Sequence, residues 1–212
     1  MKGIITHEAS QEVTLAFNRR GHDFKSCDIV DCYGGDNANH YKESVETLLP
    51  RIVHTLDFLG MHPVCQYLTN SGVRWLASKK PKDGFTWSEK YQIYINWVRY
   101  RQMESAAINF KWCLEQVNKV GSGYVENPIM HKYAMEIIQE KPTQIIQPWQ
   151  FGHGETKATC LWVIGLPKLE PTDIVDGREQ KIWKMPPSPD RTKLRSKTYP
   201  GIAKAMAEQW GS

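Results

Sequence analysis

The chain has 212 residues, 41% of them hydrophobic and 24% charged, with a formal net charge of +4. That length suits one domain with a substantial core, the charge is too small for a polybasic nucleic-acid wrapper, and no apolar run approaches the roughly twenty residues that span a bilayer. Five cysteines, at positions 27, 32, 65, 113 and 160, include no Cys-x-x-Cys pair, which argues against a disulfide framework and structural zinc and for reduced thiols.

Gly3 to His7 reads as a first strand. Glu8 interrupts the apolar run before a signal-peptide core can form, so the expected location is intracellular. Glu8-Ala9-Ser10 opens a helix running to about Arg20, with Val13, Ala16 and Phe17 on one face and Gly21 as the stop. Phe24 to Val30 reads as a second strand ending near Asp28, and 33–37 as a loop. Residues 43–54 suggest a helix that Pro50 breaks or ends, followed by a strand over 56–61. After a polar break at 79–84, a long helix is expected from about Ser88 to Lys119, ended by Gly121-Ser122-Gly123. Tyr124-Val125 enters the next strand, and Pro128 to Glu140 reads as a helix with proline in its first turn. Gln144–Gln147 and Cys160–Ile164 look like two further strands. Residues 167–198 are proline-rich and charged, hence mostly irregular, and Ile202–Trp210 closes the chain as an amphipathic helix.

Strands alternating with helices imply an α/β fold: a Rossmann-like, doubly wound, mostly parallel sheet with helices on both faces. The core is expected over residues 1–166, with 167–212 as an irregular basic segment and closing helix packed on it. Open α/β sheets place their chemistry at the carboxyl ends of strands. There the sequence puts His62-Pro63-Val64-Cys65-Gln66-Tyr67-Leu68-Thr69-Asn70-Ser71-Gly72, a thiol at the start of a polar loop, and later Val125-Glu126-Asn127-Pro128. The pair suggests a cysteine nucleophile and a carboxyl partner; the alternatives are a buried Cys65 and a helix-capping Glu126. Asp28 can accept hydrogen bonds from ribose hydroxyls near Glu8, Ala9 and Ser10; the alternative is a capping Ser10 and a surface Asp28. No Gly-x-Gly-x-x-Gly follows the first strand, so nicotinamide or flavin binding has no fingerprint. His153, Glu155 and Lys157 can bind phosphate or orient a substrate, or form a tight turn between strands. Asp28, Asp31, Asp36 and His40 match no metal motif. Trp75, Trp87, Trp97 and Trp112 read as core or interface groups, with base stacking an option for Trp75 beside the thiol loop.

Cys65-Gln66-Tyr67-Leu68-Thr69-Asn70-Ser71-Gly72 resembles the Pro-Cys-Gln-x-Phe-Ser-x-Ala-Gly catalytic loop of DNA cytosine-C5 methyltransferases, and Glu126-Asn127-Pro128 resembles that family's Glu-Asn-Val element. The chain as a whole is similar to a phage-associated family of short DNA cytosine methyltransferase-like proteins, through 126–131, 147–157 and 195–203. The resemblance implies S-adenosylmethionine as cofactor, DNA or a nucleotide as substrate, and the cytoplasm of a bacterial host as location if the protein is phage-encoded. It also implies Cys65 as nucleophile and Glu126 as the proton-bearing carboxyl. Glu8, Ala9, Ser10, Asp28, His62 and Pro63 would lie near the cofactor. Gln66, Asn70, Ser71, Gly72, Asn127, His153, Glu155 and Lys157 would face the substrate, Asn70 to Gly72 over a flipped base. Val64 stands where the family has proline, the glycine-rich first motif is absent, and the chain has no room for a large target-recognition domain. The competing expectation is a non-catalytic nucleotide- or nucleic-acid-binding protein, such as a phage counter-defence factor, that keeps the fold.

Overall fold

The structure, a computed structural model, describes residues 1–211; Ser212, the last residue of the expected C-terminal segment, lies outside them. Strand β1 (Lys2–Thr6) leads through a tight turn to α1 (Glu12–Asn18), and β2 (Asp23–Asp28) returns parallel to β1. β3 (His40–Lys42) adds outside β2, and α2 (Val45–Ile52) then brings the chain back to β4 (Phe58–Met61) on the other side of β1. Pro50 sits inside α2, which ends two residues later in a single 3-10 turn.

Between β4 and the longest helix the chain forms a small antiparallel sheet from β5 (Ala77–Ser78), β6 (Thr86–Ser88) and β7 (Ile93–Ile95). This corrects the helix expected from Ser88: α3 spans Trp97–Val120. Residues 86–95 form two three-residue strands around a turn at 89–92. Ile93 and Ile95 pack on the core, the reverse turn between them and Ser88 places Gln92 at φ 51°, and Asn96 stops any helix from extending back. Asn96 Oδ1 accepts the Arg99 amide at 2.9 Å. Asn96→Ala is therefore expected to cost about 1 kcal/mol, read as a lower urea midpoint with an unchanged slope.

β8 (Gly123–Pro128) runs parallel to β4, and α4 (Lys132–Ile138) follows. Pro128 thus ends a strand rather than opening a helix. Ile129 and Met130 stay extended because the Ile129 carbonyl accepts Asn70 N at 3.1 Å and Met130 bridges Thr69, so the helix waits for His131, whose Nδ1 accepts Ala134 N at 3.2 Å. β9 (Gln144–Ile146) and β10 (Thr159–Ile164) complete the sheet, β10 antiparallel to both neighbours. The charged C-terminal stretch is irregular apart from two short helices, α5 (Lys181–Lys184) and α6 (Arg191–Ser196), and α7 (Pro200–Trp210) closes it.

The seven-stranded sheet has the order β3-β2-β1-β4-β8-β10-β9 and is mostly parallel. Successive residues along its central strands enter two separate apolar clusters. Ile4, Leu59, Met61, Val125 and Trp162 join residues of α2, α3 and α4. Ile5, Phe58, Tyr124 and Leu161 join residues of α1 and α7. Strands buried on both sides read as continuous apolar runs. Gly123, at φ +148°, sets the β4–β8 register, because a side chain there would collide with the Leu59 carbonyl. Strand order reverses between β1 and β4, so the crevice at their carboxyl ends is where an open α/β sheet binds ligands. Among the described residues no helix is long and apolar enough to cross a membrane.

Candidate active site

β4 and β8 pair with Met61 opposite Val125, so the next residues of each strand emerge side by side. His62 and Pro63 leave one strand as Glu126 and Asn127 finish the other. Asn127 Nδ2 donates to the Pro63 carbonyl at 3.2 Å and locks the two exits together. Cys65 begins the turn that follows, its carbonyl accepting Leu68 N at 3.0 Å and Thr69 N at 3.2 Å. The loop is then held on two sides. His131 N donates to the Leu68 carbonyl at 2.9 Å, and the His131 ring lies 3.0 Å from the Tyr67 carbonyl. Arg99 Nη2 donates to the Gln66 carbonyl at 3.0 Å while its guanidinium lies 4.1 Å from the Tyr67 ring centre. Ser71 Oγ bonds Thr69 Oγ1 at 3.0 Å, and Asn70 and Ser71 face solvent. The capping alternative for Glu126 does not apply, since α4 starts at Lys132 on the His131 cap.

The charges around this junction act on one another. Burial pushes the Cys65 thiol up, and Glu126 adds to that; Lys157 and Arg195 oppose it. Burial also pushes Glu126 up, against Lys157. His62 is pushed down to about 3 by burial, then by His7 and Lys157, and its Nε2 is hydrogen-bonded to the Tyr124 hydroxyl at 2.7 Å. The site thus holds a protonated thiol, an acid inclined to keep its proton, a neutral imidazole and one ammonium group. His62, Glu126, Lys157, Thr159 and Thr198 line a common small pocket. Two buried oxygens near it, Asn127 Oδ1 and Thr198 Oγ1, have no hydrogen-bond partner among the described residues.

The β1–α1 turn is built differently from a glycine loop. Glu8 turns inward and caps α1, its carboxylate accepting Val13 N at 2.7 Å, Thr14 N at 3.2 Å and the Thr14 hydroxyl at 2.6 Å. Burial pushes it up to about 7. Ala9 and Ser10 are buried under the 33–36 loop: Tyr33 N donates to the Ala9 carbonyl at 2.8 Å, and a side chain at Gly34 would meet the Ser10 carbonyl at 2.5 Å. Gln11, buried at φ 57°, clasps that loop through Asp36, donating to its carbonyl at 2.8 Å and accepting its amide at 3.0 Å. Asp28 is half-buried at the end of β2, and its one hydrogen bond among the described residues is a 3.4 Å contact from Val30 N.

No family model matches the chain, and no curated protein matches it. Among solved structures it is similar to the Entamoeba histolytica methyltransferase EhMeth. The two share 12% identity with a TM-score of 0.47, over 82% of this chain and 57% of that one. The chain therefore spans less than two thirds of that protein's length.

The remaining sequence candidates separate. His153 Nε2 accepts Gly201 N at 3.0 Å at the start of α7, and Glu155 accepts the Tyr199 hydroxyl at 2.8 Å while pairing with Lys181 at 3.5 Å. Both are engaged in holding the C-terminal segment. Lys157 donates to the Lys197 carbonyl at 3.3 Å and, of the three, is the one that lines the Glu126 pocket. The segment also reaches α1 and the loop after β2, through Lys197 to Glu12 at 2.6 Å and Lys193 over the Tyr33 ring at 4.2 Å. Gln11 and Tyr124 carry no motif and take their places from tertiary contacts, whereas Arg195 and Thr198 fall in the 195–203 stretch of the resemblance and only the fold brings them to this site.

Proposed function

We propose that the chain is a Rossmann-like, S-adenosylmethionine-dependent methyltransferase acting on carbon 5 of cytosine in DNA or a nucleotide. The observation that carries this reading is the emergence of Cys65 and Glu126 from the adjacent parallel strands β4 and β8, next to the switch point between β1 and β4, tied by Asn127 to Pro63. The acceptors at hand suit the cofactor. Asp28 offers a carboxylate to a ribose, and Asn127 Oδ1 and Thr198 Oγ1 are buried acceptors awaiting a donor. When bound, S-adenosylmethionine supplies an electrophilic methyl group.

The chain's own residues address the harder half of the chemistry. Carbon 5 of cytosine is a poor nucleophile until carbon 6 is saturated. The Cys65 thiolate forms a bond to carbon 6, and the displaced ring electrons move toward carbon 5 and N3. Glu126, whose hold on its proton burial strengthens, presents that proton to N3 and relieves the charge that builds there. Lys157 favours the thiolate by its charge. Elimination of the carbon 5 proton to solvent then breaks the sulfur–carbon bond and frees Cys65. Mass spectrometry of nucleosides from cells expressing the wild type or Cys65→Ala tests this directly. 5-Methylcytosine is expected only with the wild type, and matching profiles rule out Cys65 catalysis.

A second reading, a non-catalytic nucleotide- or nucleic-acid-binding protein, is favoured by one observation: the surroundings of Cys65 push its thiol up, the reverse of an activated nucleophile. Calorimetric titration with S-adenosylmethionine separates the two. Heat of binding is expected on the first reading, and none at millimolar cofactor on the second.

A further inference from the structure

The small sheet inserted between the thiol loop and α3 has a surface that neither the core nor the methyl-transfer chemistry uses. Its register aligns Ser78, Tyr94 and Trp87 across the three strands. Ala77, Ile93 and Ile95 turn toward the apolar core, so this aligned row faces the other way. Trp87 is 43% exposed and meets Tyr94 edge-on at 5.3 Å. Trp75, immediately before the sheet, is 53% exposed, and Trp97, immediately after it, is 41% exposed. Cations interleave these rings. The Arg74 guanidinium lies 5.3 Å from the Trp75 ring centre, and Lys82 Nζ lies 5.1 Å from Trp75 and 5.0 Å from Phe85. Residues 70–101 carry seven cationic side chains against two acidic ones, more net positive charge than the +4 of the whole chain. Of the seven, Lys90 alone forms an ion pair among the described residues.

We propose that this face, Trp75, Trp87 and Tyr94 with Arg74, Lys79, Lys80 and Lys82, is a platform for single-stranded nucleic acid. Exposed indoles stack on unpaired bases, and the lysines meet the phosphates between them. The other occupants fit less well. A second copy of the chain would bring two cationic faces together. A duplex satisfies the lysines and leaves the indoles with no open base to stack on. The platform is also joined to the thiol loop, since the turn carrying Arg74 and Trp75 begins at Asn70 and Arg99 binds the Gln66 carbonyl. A strand held on the platform therefore runs toward Cys65. Binding here needs neither the thiol nor a cofactor, so it goes beyond the methyl-transfer reading and stands or falls apart from it.

The test is fluorescence anisotropy of the full chain with a labelled single-stranded oligodeoxynucleotide of about 20 nucleotides, longer than one binding site. With no cofactor present, the wild type is expected to bind it, and more tightly than the matching duplex. Trp75→Ala with Trp87→Ala weakens binding by about tenfold or more, while Trp75→Phe with Trp87→Phe largely retains it. Lys79→Gln, Lys80→Gln and Lys82→Gln together, all on an exposed loop and so harmless to folding, weaken binding and flatten its salt dependence by about 0.7 logarithmic units for each phosphate no longer neutralised. Any of three results overturns the proposal: no binding by the wild type at up to about 100 µM, tighter binding to duplex, or a salt slope unchanged in the lysine variant.

Discussion

Between pH 4.5 and pH 7.5, Glu8→Gln is expected to gain stability relative to the wild type by about 3 kcal/mol, measured by urea unfolding at each pH. Glu8 ordinarily titrates at 4.5 and is pushed up to about 7 in the folded chain, chiefly by burial. A carboxyl raised by folding binds more protons in the native state than in the unfolded one across that window. The native state is therefore favoured below 4.5, and that advantage is lost as pH rises through 7. At low pH the Thr14 hydroxyl can reverse its role and accept from the neutral acid, so protonation does not uncap α1. Glutamine has no charge to bury, and whatever capping it loses is the same at every pH. His62 works in the opposite sense. Burial lowers it from 6.5 to about 3, so the stability it lends is complete above 6.5 and is lost as pH falls toward 3, by about 5 kcal/mol. The two slopes oppose one another between pH 4.5 and 6.5, so this pair leaves wild-type stability highest and nearly level across that window, falling on either side, and His62→Phe should flatten the acid side. A difference between wild type and Glu8→Gln that does not move with pH would show that Glu8 is ionised throughout.

The same two residues mark what the sequence could and could not reveal. The run Phe58 to Met61, which leads into His62, is apolar because both faces of β4 are buried, and a polar loop after it must lie at a strand end; that logic reaches Cys65 without a structure. It reaches Glu126 less directly, because only Tyr124 and Val125 of β8 make an apolar run before it. The pairing of those two strands is a matter of sheet order, which rests on contacts distant in sequence. Glu8 shows the limit. An acidic residue after β1 looks like a ligand for a nucleoside, yet the amides of α1 need an acceptor, and Gln11 at the cap position supplies no side-chain bond. Trp87 to Ile95 shows another. Its strands of three residues each are too short to carry a periodic signal, and the helix boundary rests on one residue, the Asn96 cap. The extended Ile129 and Met130 have no local signal at all, because their backbone partners lie in the thiol loop some sixty residues earlier.

If Cys65 and Glu126 act as proposed, kcat/KM for methyl transfer should follow a bell-shaped pH profile, and Glu126→Gln should both lower it by about 10²–10⁴-fold and abolish its alkaline fall. The reason lies in two opposed requirements. Catalysis needs the thiolate at Cys65 and the neutral acid at Glu126, whereas a carboxyl ordinarily loses its proton well before a thiol does, and burial pushes both groups up. The competent combination is then a minority form at every pH. It increases as the thiol ionises, holds level between the two titrations, and falls once the acid has lost its proton with nothing left to compensate. Glutamine can still donate a hydrogen bond to N3 but cannot transfer a proton, so the rate drops while the alkaline limb disappears. Removing the carboxylate also takes away one of the charges that raise Cys65, so iodoacetamide should alkylate the Glu126→Gln thiol at lower pH than the wild-type thiol. Lys157→Met should move alkylation the other way, since Lys157 lowers both groups. The alkylation assay needs neither cofactor nor substrate and reads the coupling of the two side chains alone. A Glu126→Gln profile that parallels the wild type at reduced height would assign the alkaline limb to another group, and unchanged alkylation would mean that Glu126 carries no charge beside the thiol.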